Sequence, residues 1–192
     1  DGLTVIVKAQ WSKGHMLIRL QHVRIPKENI LLGEGRGFEI SQGRLGPGRI
    51  HHCMRSIGKA EKALELMVKR SATREAFGKP IAKLGGNLEI ISRARIEINA
   101  MRLAVLQAAR AMDVLGNKEA RVYVSAVKAM VPEKVCLIID QAIQMHGAAG
   151  ISQWTPLADM YTDMRHLRFA DGPDEVHHMV VGRAEVQKHG LW

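Results

Sequence analysis

Two long runs of apolar residues at helical spacing limit what this chain can fold into. Ile91, Ala94, Ile98, Met101, Val105, Ala108 and Met112 advance in steps of three and four. Val124, Val127, Val131, Val135, Ile138, Ala142 and Met145 do the same further on. Such steps put each set on one face of an α-helix, and that face must be buried against another helix. An earlier set, Ile50, Met54, Ile57, Leu64 and Met67, follows "GPG" at 46–48, where Pro47 suits a first helical turn. The chain is therefore expected to turn helical from about Gly43. Helix stops stand at "FGKPI" (77–81), "LGN" (115–117) and "GAAG" (147–150). Pro132 should kink or split the helix expected over 118–146. Shorter helices are predicted over about 156–168 and from Pro173. Long helices with short connections predict a mainly α fold, an antiparallel helical bundle. Hydrophobic residues at 46% supply a core, and aromatics at only 4% disfavour a β-sandwich.

Residues 1–32 read differently, and a loop is expected at 33–37. "LTVIVKA" and "HMLIRLQHVRI" are rich in β-branched residues and partly alternate, before Pro26 and "GEGRG" break the pattern. Two or three strands are expected there, too few for a stable sheet on their own. The predicted organisation is a β remnant with its linker over 1–36 and a helical bundle domain over 37–192. The chain opens at Asp1 without a methionine, which suggests a fragment or a processed product.

Lysine and arginine outnumber acids 28 to 19, a formal net charge of +9. Such a surface attracts nucleic acid, phospholipid or a phosphorylated cofactor. No zinc-finger spacing and no RNP-type aromatic pattern is present, so a small anionic ligand is favoured and nucleic acid is not expected. Cys53 and Cys136 form no CxxC pair, which fits a reducing compartment. No signal peptide or bilayer-length apolar run can be read, so no transmembrane segment is expected.

Four stretches carry candidate chemistry. "EVHH" places Glu175 and His178 on one helix face, and "DMRH" (Asp163, His166) is its nearest echo. Di-iron bundles need the Glu-x-x-His pattern twice with further inward glutamates. The inward faces here are apolar, so a solvated helix end is expected and no metal. In "SATREAFGKPI", Arg74 either favours the end of a helix dipole or forks onto a pyrophosphate. The "FGKP" turn would hold Arg74 and Phe77 together. In "QMHGAAG", Gly147 is either a helix cap or a place where a flat ligand approaches backbone, with Gln144 one turn earlier. In "RFADGPDEVHH", Asp171 is either a helix-capping acid or a base held at a Gly-Pro corner. Asp174 and Glu175 read as ordinary first-turn acids.

"RxxFGxP", "QMHGAAG" and the acid-glycine corner occur in the order found in the C-terminal part of acyl-CoA dehydrogenases. "VRIPKENILLGEGRGFEI" resembles that family's exit from its middle β domain. Each motif alone is weak; four in order are specific. The resemblance runs from about residue 20 to the end, and "FADGPDEVH" is most similar to the branch of family members ten and eleven.

The resemblance implies an FAD-dependent oxidation of acyl-CoA to 2-enoyl-CoA. A carboxylate removes the α-proton while a hydride leaves the β-carbon for the flavin. Asp171 matches the base, although most members have glutamate before the glycine. An aspartate is one methylene shorter, so backbone or substrate pose must restore its reach. Phe169 and Ala170 would be its apolar neighbours, and backbone N–H groups at Gly172 would polarise the thioester carbonyl. Arg49 matches an arginine on the CoA side. Arg74, Phe77, Gln144, Gly147 and Ala148 match the positions that hold FAD across a subunit boundary. Gly147-Ala148 stands where the family usually has two glycines, and Pro173-Asp174 where it often has a polar pair. The family's N-terminal helical domain and most of its β domain have no counterpart here. The implied partners are an acyl-CoA substrate, an electron acceptor such as an electron-transfer flavoprotein, and further copies of the chain in a dimer or tetramer. The implied location is mitochondrial or peroxisomal in a eukaryote and cytoplasmic otherwise; the final "GLW" is not a peroxisomal tripeptide. The other function open at this stage is a non-catalytic helical module that oligomerises and binds a nucleotide.

Overall fold

The computed structural model describes residues 3–8 and 16–191, with side chains from Leu17 onward. Ala9 and His15, at the ends of the predicted strand segments, lie outside the described residues. The chain divides into two compact units, 1–42 and 43–192. In the first, β1 (Leu3–Lys8) pairs antiparallel with β2 (Met16–Leu20). Leu3 pairs with Leu20 and Lys8 with Met16, with an irregularity between Val5 and Val7. Pro26 then leads a single 3₁₀ turn, Lys27–Asn29.

Helix α1 (Gly37–Thr73) starts in the first unit, earlier than the sequence spacing predicts, and Pro47 lies inside it rather than in its first turn. Proline removes one backbone donor and crowds the carbonyl four residues back. Here that residue is Gly43, and Gly46 and Gly48 flank the ring, so the backbone has room to absorb it. Gly46 has a second reason to lack a side chain. A Cβ there would fall 1.8 Å from Asn117 Oδ1. At its first turn, α1 is braced by Arg36, whose guanidinium forks onto Glu39 at 2.7–2.8 Å.

After α1 comes a minimal hairpin, β3 (Glu75–Ala76) and β4 (Lys79–Pro80). Phe77 and Gly78 form its turn, with φ of 51° and 75°. Two successive positive φ values give the turn the twist that two-residue hairpins need. Helix α2 (Asn87–Glu119) is interrupted at Gly116, where φ is 80° and ψ 168°. Helix α3 (Arg121–His146) follows, then α4 (Leu157–His166) and α5 (Asp174–Lys188). The fold class is the mainly α bundle that the spacing predicts.

Helix α3 is the centre of the bundle, packing against α2, α4 and α5. Its buried residues include Val127, Val131, Pro132, Val135 and Ile139, so it is covered on most sides. That explains why Pro132 does not split it: burial on neighbouring helices outweighs one missing hydrogen bond. The same buried cluster holds Ile57, Leu64 and Met67 of α1 and Ile98, Met101 and Val105 of α2, each at most 3% exposed. Leu157 and Leu167 close the core at either end of α4.

Candidate active site

The corner between α4 and α5 is built from two left-handed residues. Asp171 has φ of 57° and Gly172 φ of 106°. Aspartate enters the left-handed region more readily than most residues because its side chain is short and polar. Glycine at 172 is required for a further reason: a Cβ there would sit 2.9 Å from His177 Nε2. Pro173 then leads into Asp174, the first residue of α5.

Beneath this corner lies a buried polar cage. Lys128 of α3 is fully buried, and its Nζ donates to Leu167 O at 2.6 Å and Gly172 O at 3.1 Å. Arg49 Nε of α1 donates to Asp171 O at 2.9 Å. His177 Nε2 of α5 lies 3.3 Å from the same carbonyl, and His177 Nδ1 lies 3.2 Å from Ser125 Oγ. A carbonyl only accepts, so Nε2 carries the proton and Nδ1 accepts from the Ser125 hydroxyl. Burial, with help from Lys128 and Arg49, pushes the His177 ring down to about 4, so it is neutral at pH 7. Burial also lowers the Lys128 pKa, against the opposing pull of Asp174, Cys53 and Asp171.

Asp174 is not the solvated first-turn acid that its position suggests. It is 5% exposed and its Oδ2 accepts from Arg168 Nε at 2.6 Å. Its amide donates to Arg168 O at 2.9 Å, which ties the two sides of the corner together. Glu175 and His178 are exposed. Phe169 is 52% exposed and meets His166 edge-on at 6.3 Å, so in this chain its ring is turned to His166.

The carboxylate of Asp171 is only about a quarter exposed, and its Oδ2 lies 3.1 Å from His52 Nε2. The corner therefore brings Asp171, Gly172 and Arg49 together, as three of the predicted site residues, and adds His52, Ser125, Lys128 and His177. Lys128 had a legible signal: it occupies an inward position of α3, four residues after Val124 and three before Val131. A cation in that stripe is buried and must be hydrogen-bonded. The histidines had no comparable signal, because the contacts of His52 with Asp171 and of His177 with Ser125 join elements far apart in sequence.

The other predicted residues lie elsewhere. Phe77 and Gln144 line one groove of about 380 Å³, with Ala76, Ile81, Leu84 and Met145 among its walls. Phe77 is 94% exposed, and a bulky residue with positive φ is uncommon. Arg74 is exposed at the end of α1, and its carbonyl accepts from Ile81 N at 2.8 Å, closing the hairpin. Gly147 and Ala148 are exposed after α3, with φ of 63° at Gly147. Arg74, Gly147 and Ala148 are not among the groove's lining residues. Gly150 is small for packing: a Cβ there would meet Ile143 O at 2.6 Å.

A family model described as the C-terminal domain of acyl-CoA dehydrogenase matches residues 35–186. The chain is 56% identical over 174 residues to acyl-CoA dehydrogenase family member 10 of Mus musculus, covering 91% of this chain and 16% of that protein. It is 52% identical over 174 residues to acyl-CoA dehydrogenase family member 11 of Rattus norvegicus, covering 91% of this chain and 22% of that protein. Among solved structures, butyryl-CoA dehydrogenase from Megasphaera elsdenii matches with a TM-score of 0.87 at 29% identity, over 96% of this chain and 49% of that one. The chain thus spans about a fifth of these two curated relatives and about half of the solved structure. A family match over most of the chain, with relatives above 50% identity, makes this chain a member of the acyl-CoA dehydrogenase family that carries the family's C-terminal domain.

Proposed function

We propose that this chain supplies the base and part of the cofactor site for α,β-dehydrogenation of an acyl-CoA thioester to its 2-enoyl-CoA. The observation that carries the reading is the Asp171 corner. Its carboxylate stands on a left-handed turn whose carbonyls are gripped from beneath by Arg49, His177 and Lys128. Helix capping alone needs no such cage. A base must be held within hydrogen-bond reach of the proton it takes, and a fixed backbone does this. The left-handed turn also suits aspartate in place of the longer glutamate.

Asp171 removes the α-proton and becomes the neutral acid. Negative charge builds on the thioester oxygen as this happens, and the Gly172 N–H at the corner is suited to meet it. Arg49 uses Nε on the Asp171 carbonyl; its Nη groups make no hydrogen bond among the described residues and are suited to the CoA portion.

The donor set around the hairpin fits a flavin dinucleotide: an exposed aromatic ring at Phe77, an amide at Gln144, an apolar wall and an exposed guanidinium at Arg74. These residues, with Gly147 and Ala148, would hold FAD. When bound, FAD supplies the acceptor for the hydride that leaves the β-carbon. In this reading the site is completed by the family's N-terminal helical and β domains, which supply the flavin-ring contacts and much of the acyl pocket, and by a neighbouring subunit of a dimer or tetramer. Electrons pass to an acceptor such as an electron-transfer flavoprotein. No helix among the described residues is long and apolar enough to cross a membrane. A mitochondrial or peroxisomal location is proposed for a eukaryotic source, a cytoplasmic one otherwise.

The test is a visible spectrum, recorded with light scattering, of the chain by itself and of the chain joined to the family's N-terminal helical and β domains, each after loading with FAD. The expected outcome is a retained flavin band in an oligomeric peak, bleached by acyl-CoA, for the joined protein and no bleaching for the chain by itself. Asp171→Asn should keep the flavin and lose bleaching rate by about 10²–10⁴-fold. Unchanged bleaching in that variant would remove Asp171 as the base. Flavin that the joined protein retains but never bleaches would instead favour a non-catalytic nucleotide-binding module.

A further inference from the structure

We infer that His52 is a positioning residue for the Asp171 base, and that Arg55 fixes which nitrogen of the His52 ring carries the proton. This rests on the reading of Asp171 as the base. The three cage residues beneath the corner hold main-chain carbonyls, not the carboxylate. A clamped backbone still leaves the aspartate side chain free to turn about its own bonds. Among the described residues, His52 is the group within hydrogen-bond distance of that carboxylate, Nε2 to Oδ2 at 3.1 Å.

Arg49, His52 and Arg55 follow at intervals of three on α1, so they share one helix face. Arg55 Nη2 lies 2.5 Å from His52 Nδ1. A guanidinium has only donors, so Nδ1 is an acceptor and carries no proton. The neutral ring then has its proton on Nε2, the nitrogen that lies 3.1 Å from Asp171 Oδ2. One carboxylate oxygen is thereby fixed, and the other is left to take the substrate proton. The groups facing His52 are Arg55 and His51 on its own helix, Lys128 on α3 and Asp171 at the corner. Burial lowers the His52 pKa; Arg55, His51 and Lys128 lower it too, and Asp171 opposes them. The ring is therefore neutral when the base works. Acid protonates Nδ1, drives Arg55 away and leaves an imidazolium on Asp171, which makes the carboxylate a poorer base. The acid limb of kcat/KM then contains a His52 ionisation beside that of Asp171.

The test has two arms. In the first, the chain carries ¹⁵N-labelled histidine and the ring nitrogens are assigned by NMR at neutral pH. A protonated Nε2 with a bare Nδ1 at His52, lost to a tautomer mixture in Arg55→Met, supports the inference. A protonated Nδ1 in the parent chain overturns it, whether or not the protein turns over acyl-CoA. In the second arm, His52→Ala in the flavin-loaded protein should lower kcat about 10–100-fold with little change in KM. It should also remove one ionisation from the acid limb. His52→Gln, which keeps a donor near the Nε2 position, should recover most of the lost rate. A kcat unchanged in His52→Ala, or equal losses in His52→Ala and His52→Gln, overturns the inference. If Asp171→Asn leaves turnover intact, the reading of Asp171 has failed by itself, and the NMR arm still decides the His52–Arg55 geometry.

Discussion

At the scale of single residues, the site turns on two neighbours with different reasons for their backbone. Asp171 accepts a left-handed φ because its side chain is short, and the same φ carries its carboxylate to His52. Gly172 accepts a φ that no L side chain favours, and it also leaves room for the His177 ring. Gly172→Ala should therefore strain the corner and push His177 off the Asp171 carbonyl. The expected loss of stability is about 1–3 kcal/mol, read as a lower Tm. An unchanged Tm would mean that the corner relaxes freely. Much of this was legible in "ADGPDE": an acid, a glycine and a proline before a helix mark a corner. That Asp174 is buried against Arg168 was not legible, because its fate depends on how α4 and α5 come together.

At the scale of elements, α3 is where apolar packing and polar support meet. Its inward stripe carries the core, and one position in that stripe, Lys128, carries the corner instead. Lys128→Met would remove the donor to the Leu167 and Gly172 carbonyls while keeping a similar volume. Each buried carbonyl left without a partner costs about 1–3 kcal/mol. Chemical denaturation should show a lower midpoint, and a midpoint equal to the parent's would show that water replaces Nζ at no cost. The prolines belong to this scale as well. Local rules place Pro47 at a helix start and predict a kink or a split at Pro132. Pro47 lies inside α1, where flanking glycines make room, and α3 is not split at Pro132, which surrounding helices bury. Gly116 acts as the rule predicts, since nothing prevents the chain from leaving the helix there.

At the scale of the whole molecule, the buried cage makes stability depend on pH. His177 is neutral in the fold, with its pKa at about 4, against an ordinary 6.5. Between those values the unfolded chain binds a proton that the folded chain does not. Stability should therefore fall as pH drops from 6.5 towards about 4, with no further loss from this group below that. His52 is shifted in the same direction and adds to the same slope. Denaturant midpoints across this range would measure it. His177→Gln should flatten the slope; an unaltered slope would assign the effect to other groups. The Glu61 carboxylate, held down to about 2 by Arg95 and Arg102, acts at lower pH. It links α1 to α2 at the surface, where such pairs contribute little.

By itself the sequence determined the helices, their inward faces and the family, because helical periodicity and short ordered motifs are local properties of the chain. It also marked Asp171, because an acid before Gly-Pro is conspicuous wherever it occurs. It determined neither the cage nor the tautomers. Arg49 and His52 lie about 120 residues from Asp171, and Lys128 lies 44 from Gly172. No local pattern records which inward residue of one helix meets which carbonyl of a distant turn. Only tertiary packing decides that, because it brings a lysine, an arginine and a histidine onto the carbonyls of one corner and sets a second histidine against its carboxylate.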